Sequence, residues 1–234
     1  MVGEGNRVMN LIKKIKQIKE EKDILLEKGV EVGSAIIFDG IAGQVIPGVV
    51  GLRMDYKQRQ MEKRVNIGMG LLIERIDQLE EDMRKLNDAE YCFVEESVFP
   101  LVFENIIDES EEEKIKYIIN GFESVIQDKI TDQEIVISYL DVLKALRLID
   151  IEHLLKQTSE HREQLSKKGL KLEIDLSDMG KRRTALTQYI HNKLEQLGLI
   201  QTIIFDEASP EDGLVTKFGY NFLDFIKEKG TVSI

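Results

Sequence analysis

The spacing of one arginine and one histidine is the feature of this sequence that comes closest to a catalytic motif. Arg147 and His153 are separated by five residues and lie on or between predicted helices. A histidine can act as a general acid or base, and an arginine can stabilise negative charge. The structural alternative is an arginine and a histidine that lie near a helix junction.

The same spacing resembles the R-x(4–6)-H signature of the all-helical HEPN ribonucleases. The match is short, and Leu148 stands where that family usually has a polar residue. The resemblance implies an enzymatic alternative, the cleavage of RNA, in which His153 would act as a general acid or base and Arg147 would stabilise the charge of a phosphate. We expect the protein itself to be non-enzymatic.

Other sequence motifs of catalysis and metal binding are absent. The chain has no phosphate-binding loop, nucleophile elbow, H-E-x-x-H or C-x-x-C motif. His153 and His161 lack a third ligand of the kind that catalytic zinc needs. Cys92 is the only cysteine, so no disulfide framework can form. We predict no cofactor and no metal, and a reducing, cytoplasmic compartment.

Acidic residues outnumber basic residues and are unevenly distributed. The chain has 43 acidic and 32 basic residues, which give a net charge of −11. Nearly all of this net charge falls between residues 91 and 160. Coating of nucleic acid needs a basic surface, so the acidic composition argues against it. Since 42% of the residues are apolar and 32% are charged, we predict a globular protein with a real core.

The most regular element is a run of apolar residues at alternating steps of four and three. Its members are Val65, Met69, Leu72, Ile76, Leu79, Met83 and Leu86. The run predicts a long helix with Arg75 and Glu80 at the flanking g and e positions. The apolar seam of this helix either packs within its own bundle or forms a homodimer.

Apolar residues at helical spacing predict further helices on both sides of this element. The first helix spans residues 6–28, and two more follow capping-box sequences at 110–113 and 131–134. Asp150 is predicted to cap a short helix that ends at Leu155. The apolar stripes of the two middle helices are Ile115, Ile118, Ile119, Phe122, Val125 and Ile126, and Val136, Leu140, Leu143 and Leu146.

Residues 29–51 are apolar and rich in glycine. Small residues allow helices to pack closely, and the uncharged stretch of about 13 residues is shorter than the ~20 that span a membrane. The segment therefore predicts either a tightly packed helical hairpin or a region that contacts a membrane conditionally. The glycines that would serve in packing or membrane contact are Gly33, Gly40, Gly43, Gly48 and Gly51.

The C-terminal part has the order helix, β-hairpin, helix, which is typical of a winged-helix module. A helix is predicted over residues 184–196, with Gly198 at its C′ position. Strand-like residues at 199–205 and 214–216 flank a turn that contains proline and glycine. The polar residues 159–183 predict a loop. The inward residues of the two helices are predicted to be Leu186, Ile190, Leu194 and Leu197, and Phe218, Phe222, Phe225 and Ile226.

A winged helix binds either DNA or protein, and both interpretations have candidate residues here. Contacts to DNA would come from Lys181, Arg182, Arg183, Gln188, Asn192 and Lys193. Residues 161–234 are electrically neutral as a whole, with 11 basic and 11 acidic residues, so we favour docking of a protein partner.

The end of the chain has the pattern L-x-x-L-G-L-I, followed by T-x-x-G-x-x-F-x-x-F. This pattern, together with the order of the elements, resembles the bacterial Abi-alpha proteins, which are linked to abortive phage infection. The matching residues are Leu194, Leu197, Gly198, Leu199, Ile200, Thr216, Gly219, Phe222 and Phe225. The resemblance implies a fold and a role in phage defence, but it assigns no catalytic residue.

The sequence therefore predicts a mainly α protein, a helical bundle with a long heptad-patterned helix and a small winged-helix-like module. Its parts would be residues 1–90, 91–158 and 159–234. We expect a non-enzymatic, cytoplasmic interaction protein of phage defence that docks a protein partner, forms homo-oligomers and contacts the membrane peripherally and only conditionally. The alternatives are a DNA-binding regulator and a ribonuclease.

Overall fold

The computed structural model describes residues 11–13, 15–17, 20, 56–158, 178–201 and 214–229. Most of these residues are helical and none of them lies in a strand, which confirms the predicted mainly α fold. They belong to two compact units. Residues 1–144 and 226–234 form the first unit, and residues 145–225 form the second. The three parts bounded at residues 90 and 158 stay a prediction.

The helices of the first unit between residues 56 and 145 are joined by short connections. They are α1 (Tyr56–Glu74), α2 (Ile76–Met83), α3 (Asp88–Phe93), α4 (Phe99–Asp108), α5 (Ile115–Gln127) and α6 (Gln133–Ala145). A π-helical turn, Val94–Val98, joins α3 to α4, and a 3₁₀ turn, Glu112–Lys114, precedes α5. The core lies where α1 packs against α4 and α5, and where α2 packs against α5.

The heptad pattern forms the apolar side of α1 and α2. Its first six residues are nearly inaccessible to solvent, and Leu86 is half-buried. The neighbouring helices of the same chain cover these residues, as the first of the two sequence interpretations predicts. A second copy of the chain could contact this seam only if the core opened.

The predicted long helix is in fact two helices that meet at Arg75, where the backbone leaves helical geometry with φ −105° and ψ 9°. The Arg75 guanidinium donates to Asn120 Oδ1 at 2.8 Å and to Glu123 Oε2 at 2.7 Å. The Asn120 amide in turn donates to the Ile226 carbonyl at 2.8 Å. Arg75 therefore pairs within its own unit. Glu80, at the flanking e position of the heptad pattern, also pairs within the first unit, with Lys16 and Arg84.

The predicted apolar stripes of the two middle helices are buried, although Leu146 follows the end of α6 at Ala145. The N-termini of these helices differ from the predicted capping boxes. Residues 110–113 form no capping box, because α5 begins later, at Ile115. The Glu109 carboxylate instead accepts the Glu111 backbone N–H at 2.9 Å. At the start of α6, the cap is Asp132 rather than Thr131, and its carboxylate accepts the Glu134 N–H at 3.0 Å.

The second unit contains α7 (Leu148–Lys156), α8 (Asp178–Gln196) and most of α9 (Lys217–Ile226). Helix α8 ends in a Schellman motif, with Gly198 at φ +70° and the Leu199 N–H bonded to the Leu194 carbonyl at 3.0 Å. The predicted C′ role of Gly198 is confirmed. The chain then forms an antiparallel bridge between Ile200 and Val215. Residues 202–213 lie outside the described part, so the winged-helix interpretation stays a prediction.

The threonine and glycine of the T-x-x-G pattern have a clear structural role at the start of α9. Thr216 Oγ1 accepts the Gly219 N–H at 2.9 Å and donates to the Gly198 carbonyl at 2.6 Å. A Cβ atom on Gly219 would overlap the Leu199 carbonyl oxygen and lie 2.8 Å from Val215 Cγ1. Only glycine therefore allows α9 to approach the chain that leaves α8.

Several predictions fall on residues outside the described part. They include the glycine-rich residues 29–51, with Gly33, Gly40, Gly43, Gly48 and Gly51, and most of the predicted helix at 6–28. Within that helix, residues 11–13, 15–17 and 20 are helical, and Leu11 and Ile15 are buried. Among the described residues, no helix is both long and apolar enough to cross a membrane.

Candidate functional site

The packing of α7 against α8 positions the side chains that could carry function in the second unit. Ile151 and Leu154 of α7 are buried, as are Ile190 and Leu194 of α8. Helix α8 has 19 residues and is about 28 Å long, whereas α7 has nine residues and is about 14 Å long. Helix α7 can therefore cover only about half of α8.

A buried ion pair joins the two helices. Asp150 is 2% exposed, and its carboxylate accepts from Lys193 Nζ at 2.6 Å. The same carboxylate accepts the Arg147 backbone N–H at 2.9 Å, so Asp150 lies inside the first turn of α7 and not at its cap. Lys193 was predicted to face outward as a DNA-binding residue. The Lys193 ammonium instead pairs with the buried Asp150 carboxylate, and the DNA-binding role of Lys193 stays a prediction.

Two histidines meet at the same helix pair. The rings of His153 and His191 are 6.4 Å apart between centroids and nearly perpendicular, and His153 Nε2 lies 3.2 Å from the Gln157 side-chain nitrogen. Burial lowers the pKa of His153, and the neighbouring His191 and Lys156 lower it further. These surroundings favour the neutral form of the His153 imidazole over the charged form.

Arg147, the predicted partner of His153 in catalysis, is the exposed N-cap residue of α7. His153 lies in the last turn of that helix, about 9 Å further along its axis. The ribonuclease hypothesis stays a prediction. In the described part of the chain, no three histidine, cysteine or acidic side chains are grouped to hold a metal ion. His161 lies outside that part.

Helix α8 begins earlier than predicted, and residues 182–189 within it are exposed to solvent. Residues 178–183, which were predicted to lie in a loop, are helical. Every side chain from Arg182 to Tyr189 is exposed, and we call these eight residues the α8 arm. Leu186 was predicted to face inward, but it is 47% exposed because it precedes the half of α8 that α7 covers.

The α8 arm presents a mixed basic and apolar stripe. Arg182, Leu186 and Tyr189 follow one another at steps of four and three, so they lie on one side of the helix. Tyr189 is 64% exposed, the highest value among the exposed large apolar residues of the described part. Sequence reasoning missed Tyr189, although its position beside Leu186 was a usable signal. The predicted DNA-contact residues Gln188 and Asn192 are exposed and bond each other at 2.8 Å.

Exposed apolar side chains are concentrated in the second unit. Five of the six large apolar residues that are exposed in the described part belong to it, and Ile135 of α6 is the sixth. The second unit nevertheless contributes only about half as many described residues as the first. The five are Ile149, Leu155, Leu186, Tyr189 and Tyr220.

The described residues of the first unit form a cleft with a volume of about 430 Å³. The cleft is lined by Gln78, Asp82, Lys85, Ile126, Gln127, Lys129 and Lys229. Charged side chains of this cleft pair with other residues of the protein. Lys85 pairs with Asp82 at 2.8 Å, and Lys229 pairs with Asp128 at 2.7 Å. Because these charges are already paired within the protein, the cleft has no clear preference for a ligand. The α8 arm is therefore the better candidate site.

No protein-family model, curated protein or solved structure matches this chain.

Proposed function

We propose that this chain is a non-enzymatic interaction protein whose second unit docks a protein partner through the α8 arm. The observation that carries the proposal is the exposure of Leu186 and Tyr189 on a helical segment with no buried side chain. Two unpacked helical turns gain little stability by themselves, since helices in proteins depend mainly on packing of an apolar face. A partner that covers this face would supply that packing.

Burial of the two side chains gives enough free energy to matter for binding. Covering a leucine fully contributes about 1.5–3 kcal/mol, and a tyrosine buries a larger area and keeps a polar group for hydrogen bonding. Tyrosine and arginine are also enriched at the centres of protein interfaces. The α8 arm provides Tyr189 next to Arg182 and Arg183, and all three are exposed.

The biological setting that we propose is phage defence in the bacterial cytoplasm. The support is the resemblance of residues 194–225 to Abi-alpha proteins, at positions such as Gly198 and Gly219 that are needed for the local fold. In this proposal, docking of the partner comes first. The glycine-rich residues 29–51 then contact the membrane, and the heptad residues serve the fold of the first unit.

The test is survival of a bacterial host that carries the gene and is challenged with phages. We expect Leu186→Asp/Tyr189→Ala to abolish protection. Ile135→Asp is the matched control, because Ile135 is 41% exposed but belongs to the first unit. Circular dichroism and thermal unfolding would confirm that both variants fold. Equal protection by the two variants would contradict the proposal, and so would loss of protection with His153→Ala, which would favour the ribonuclease.

A DNA-binding regulator is the second candidate, and the exposure of Arg182 and Arg183 favours it. It predicts duplex binding that weakens with salt and is lost in Lys181→Ala/Arg182→Ala/Arg183→Ala. Leu186→Ala/Tyr189→Ala should have little effect on such binding, because it changes no charge and the phosphate contacts would remain. The two candidates therefore separate on Leu186 and Tyr189, which docking of a protein requires and binding of DNA does not.

A further inference from the structure

We infer that the partner of the α8 arm presents an acidic amphipathic helix. This inference rests on the proposed function and adds the chemistry of the partner. It is carried by two properties of the same eight residues, their charge and the placement of their apolar side chains.

The charge of α8 is opposite to that of the chain. The helix contains four basic and two acidic residues, and residues 182–189 contain no acidic residue, whereas the whole chain has a net charge of −11. Arg182 and Arg183 are adjacent and exposed at the start of the arm. Arginine binds carboxylates in a fixed bidentate geometry, so a partner with carboxylates at this position is the complementary one.

The apolar residues define the shape of the partner surface. Leu186 and Tyr189 lie one turn apart and follow Arg182 on the same side of the helix. The arm is about 12 Å long, which is two helical turns. A partner helix with apolar residues at i, i+3 or i+4 and i+7 can cover this stripe, while its flanking carboxylates reach the arginines.

Two other occupants fit less well. A second α8 arm would bring Arg182 and Arg183 of two copies close together, and like charges at an interface oppose association. A nucleic acid would satisfy the arginines but would leave the apolar pair uncovered by its phosphate backbone. Lys193, which would extend a phosphate-binding surface, is already paired with Asp150.

The test is a titration of the full chain with labelled probes, followed by fluorescence anisotropy. The main probe is a synthetic helix of about 20 residues, with leucine at i, i+3, i+4 and i+7 and glutamate elsewhere. The other probes are the same peptide with lysine for glutamate, a polyglutamate peptide and a DNA duplex. We expect the Glu/Leu peptide to bind at least about tenfold more tightly than any other probe, and its affinity to fall with salt.

The variants assign binding to the arm. Arg182→Glu/Arg183→Glu and Leu186→Asp/Tyr189→Ala should each weaken binding of the Glu/Leu peptide by about tenfold or more. Lys156→Glu/Lys217→Glu is the control for charge, because it reverses two exposed charges of the same unit outside the arm. It should change the affinity by less than about threefold.

Each contrary outcome overturns a defined part of the inference. Equal or tighter binding of the DNA duplex would show that the partner is a nucleic acid and not an acidic helix. An oligomer of the chain that dissociates in Leu186→Asp/Tyr189→Ala would show that the partner is a second copy of the chain. If the arm variants abolish phage protection but the Glu/Leu peptide fails to bind, the docking function stands and the acidic partner is wrong. If the peptide binds as predicted and protection is unaffected, the proposed function is wrong instead.

Discussion

In the first unit, the charged residues Lys114 and Glu109 lie inside the fold, whereas in the second unit the apolar residues Leu186 and Tyr189 lie outside it. Lys114 and Glu109 are 2% and 7% exposed and are 2.7 Å apart. The first unit thus pairs these two buried charges with each other and encloses its apolar seam. The second unit leaves apolar surface uncovered, which is the expected property of a region that binds another protein.

The largest effect that we predict comes from breaking the buried ion pair of the first unit. Lys114→Met should destabilise the protein by about 3–5 kcal/mol, because Glu109 would remain buried without its counter-ion. Lys144→Met is the matched control, since Lys144 pairs with Asp108 at 2.9 Å on the surface. That pair should contribute less than about 1 kcal/mol. Urea unfolding would measure both, and similar losses in the two variants would contradict the distinction between buried and exposed pairs.

The second prediction compares one glycine in each unit. Gly219→Ala should destabilise the second unit by about 1–3 kcal/mol, because the new methyl group would overlap the Leu199 carbonyl. Gly70 of α1 has open space where a Cβ would be, so Gly70→Ala should stabilise the first unit by about 0.5–1 kcal/mol. Thermal unfolding would show the two opposite shifts. A stable Gly219→Ala variant would mean that α9 can move away from Leu199.

The third prediction compares the C-termini of one helix in each unit, because both helices end in the same motif. Helix α5 ends in a Schellman motif with Lys129 at φ +53°, where α8 has Gly198 at φ +70°. Replacing lysine by glycine removes the cost of this conformation, so Lys129→Gly should stabilise by about 0.5–1 kcal/mol. Gly198→Ala should destabilise by a similar amount. Unfolding in urea would measure both, and a loss of stability in Lys129→Gly would show that the Lys129 contacts with Glu90 and Lys85 outweigh the strain.

The smallest effect is a pH dependence in the second unit. The pKa of His153 is lowered in the folded state by burial, by His191 and by Lys156, while Asp150 opposes this shift. The unfolded chain therefore binds more protons as the pH falls below about 6.5, and the free energy of unfolding decreases there. His153→Gln should reduce this decrease below about pH 6.5. An unchanged pH profile in urea unfolding would contradict the role of His153.

The cores of both units could be predicted from the sequence, because the apolar spacing and the glycine pattern that identify them are local features of the chain. Apolar residues at helical spacing identified the seam from Val65 to Met83 and the stripe of α5, and all of those residues are buried. The L-x-x-L-G-L-I pattern identified the end of α8, because Gly198 is required where the backbone has positive φ.

The candidate site could not be predicted in the same way. Whether Leu186 is covered depends on the length of α7, which packs against α8 from elsewhere in the chain. The partner of Lys193 is Asp150, 43 residues away, so the local sequence gave no indication that the lysine is occupied. The break at Arg75 likewise depends on Asn120 and Glu123 of a different helix.

The most direct test of docking through the α8 arm is site-specific photo-crosslinking in phage-challenged cells. A photoreactive phenylalanine would replace Tyr189 in one strain and Ile135 in another. Both residues are exposed and apolar, but Tyr189 belongs to the second unit and Ile135 to the first. We predict a discrete protein adduct from position 189 and none from position 135, and Arg182→Glu/Arg183→Glu should abolish that adduct. Equal adducts from both positions, or none from position 189, would contradict a docking role for the α8 arm.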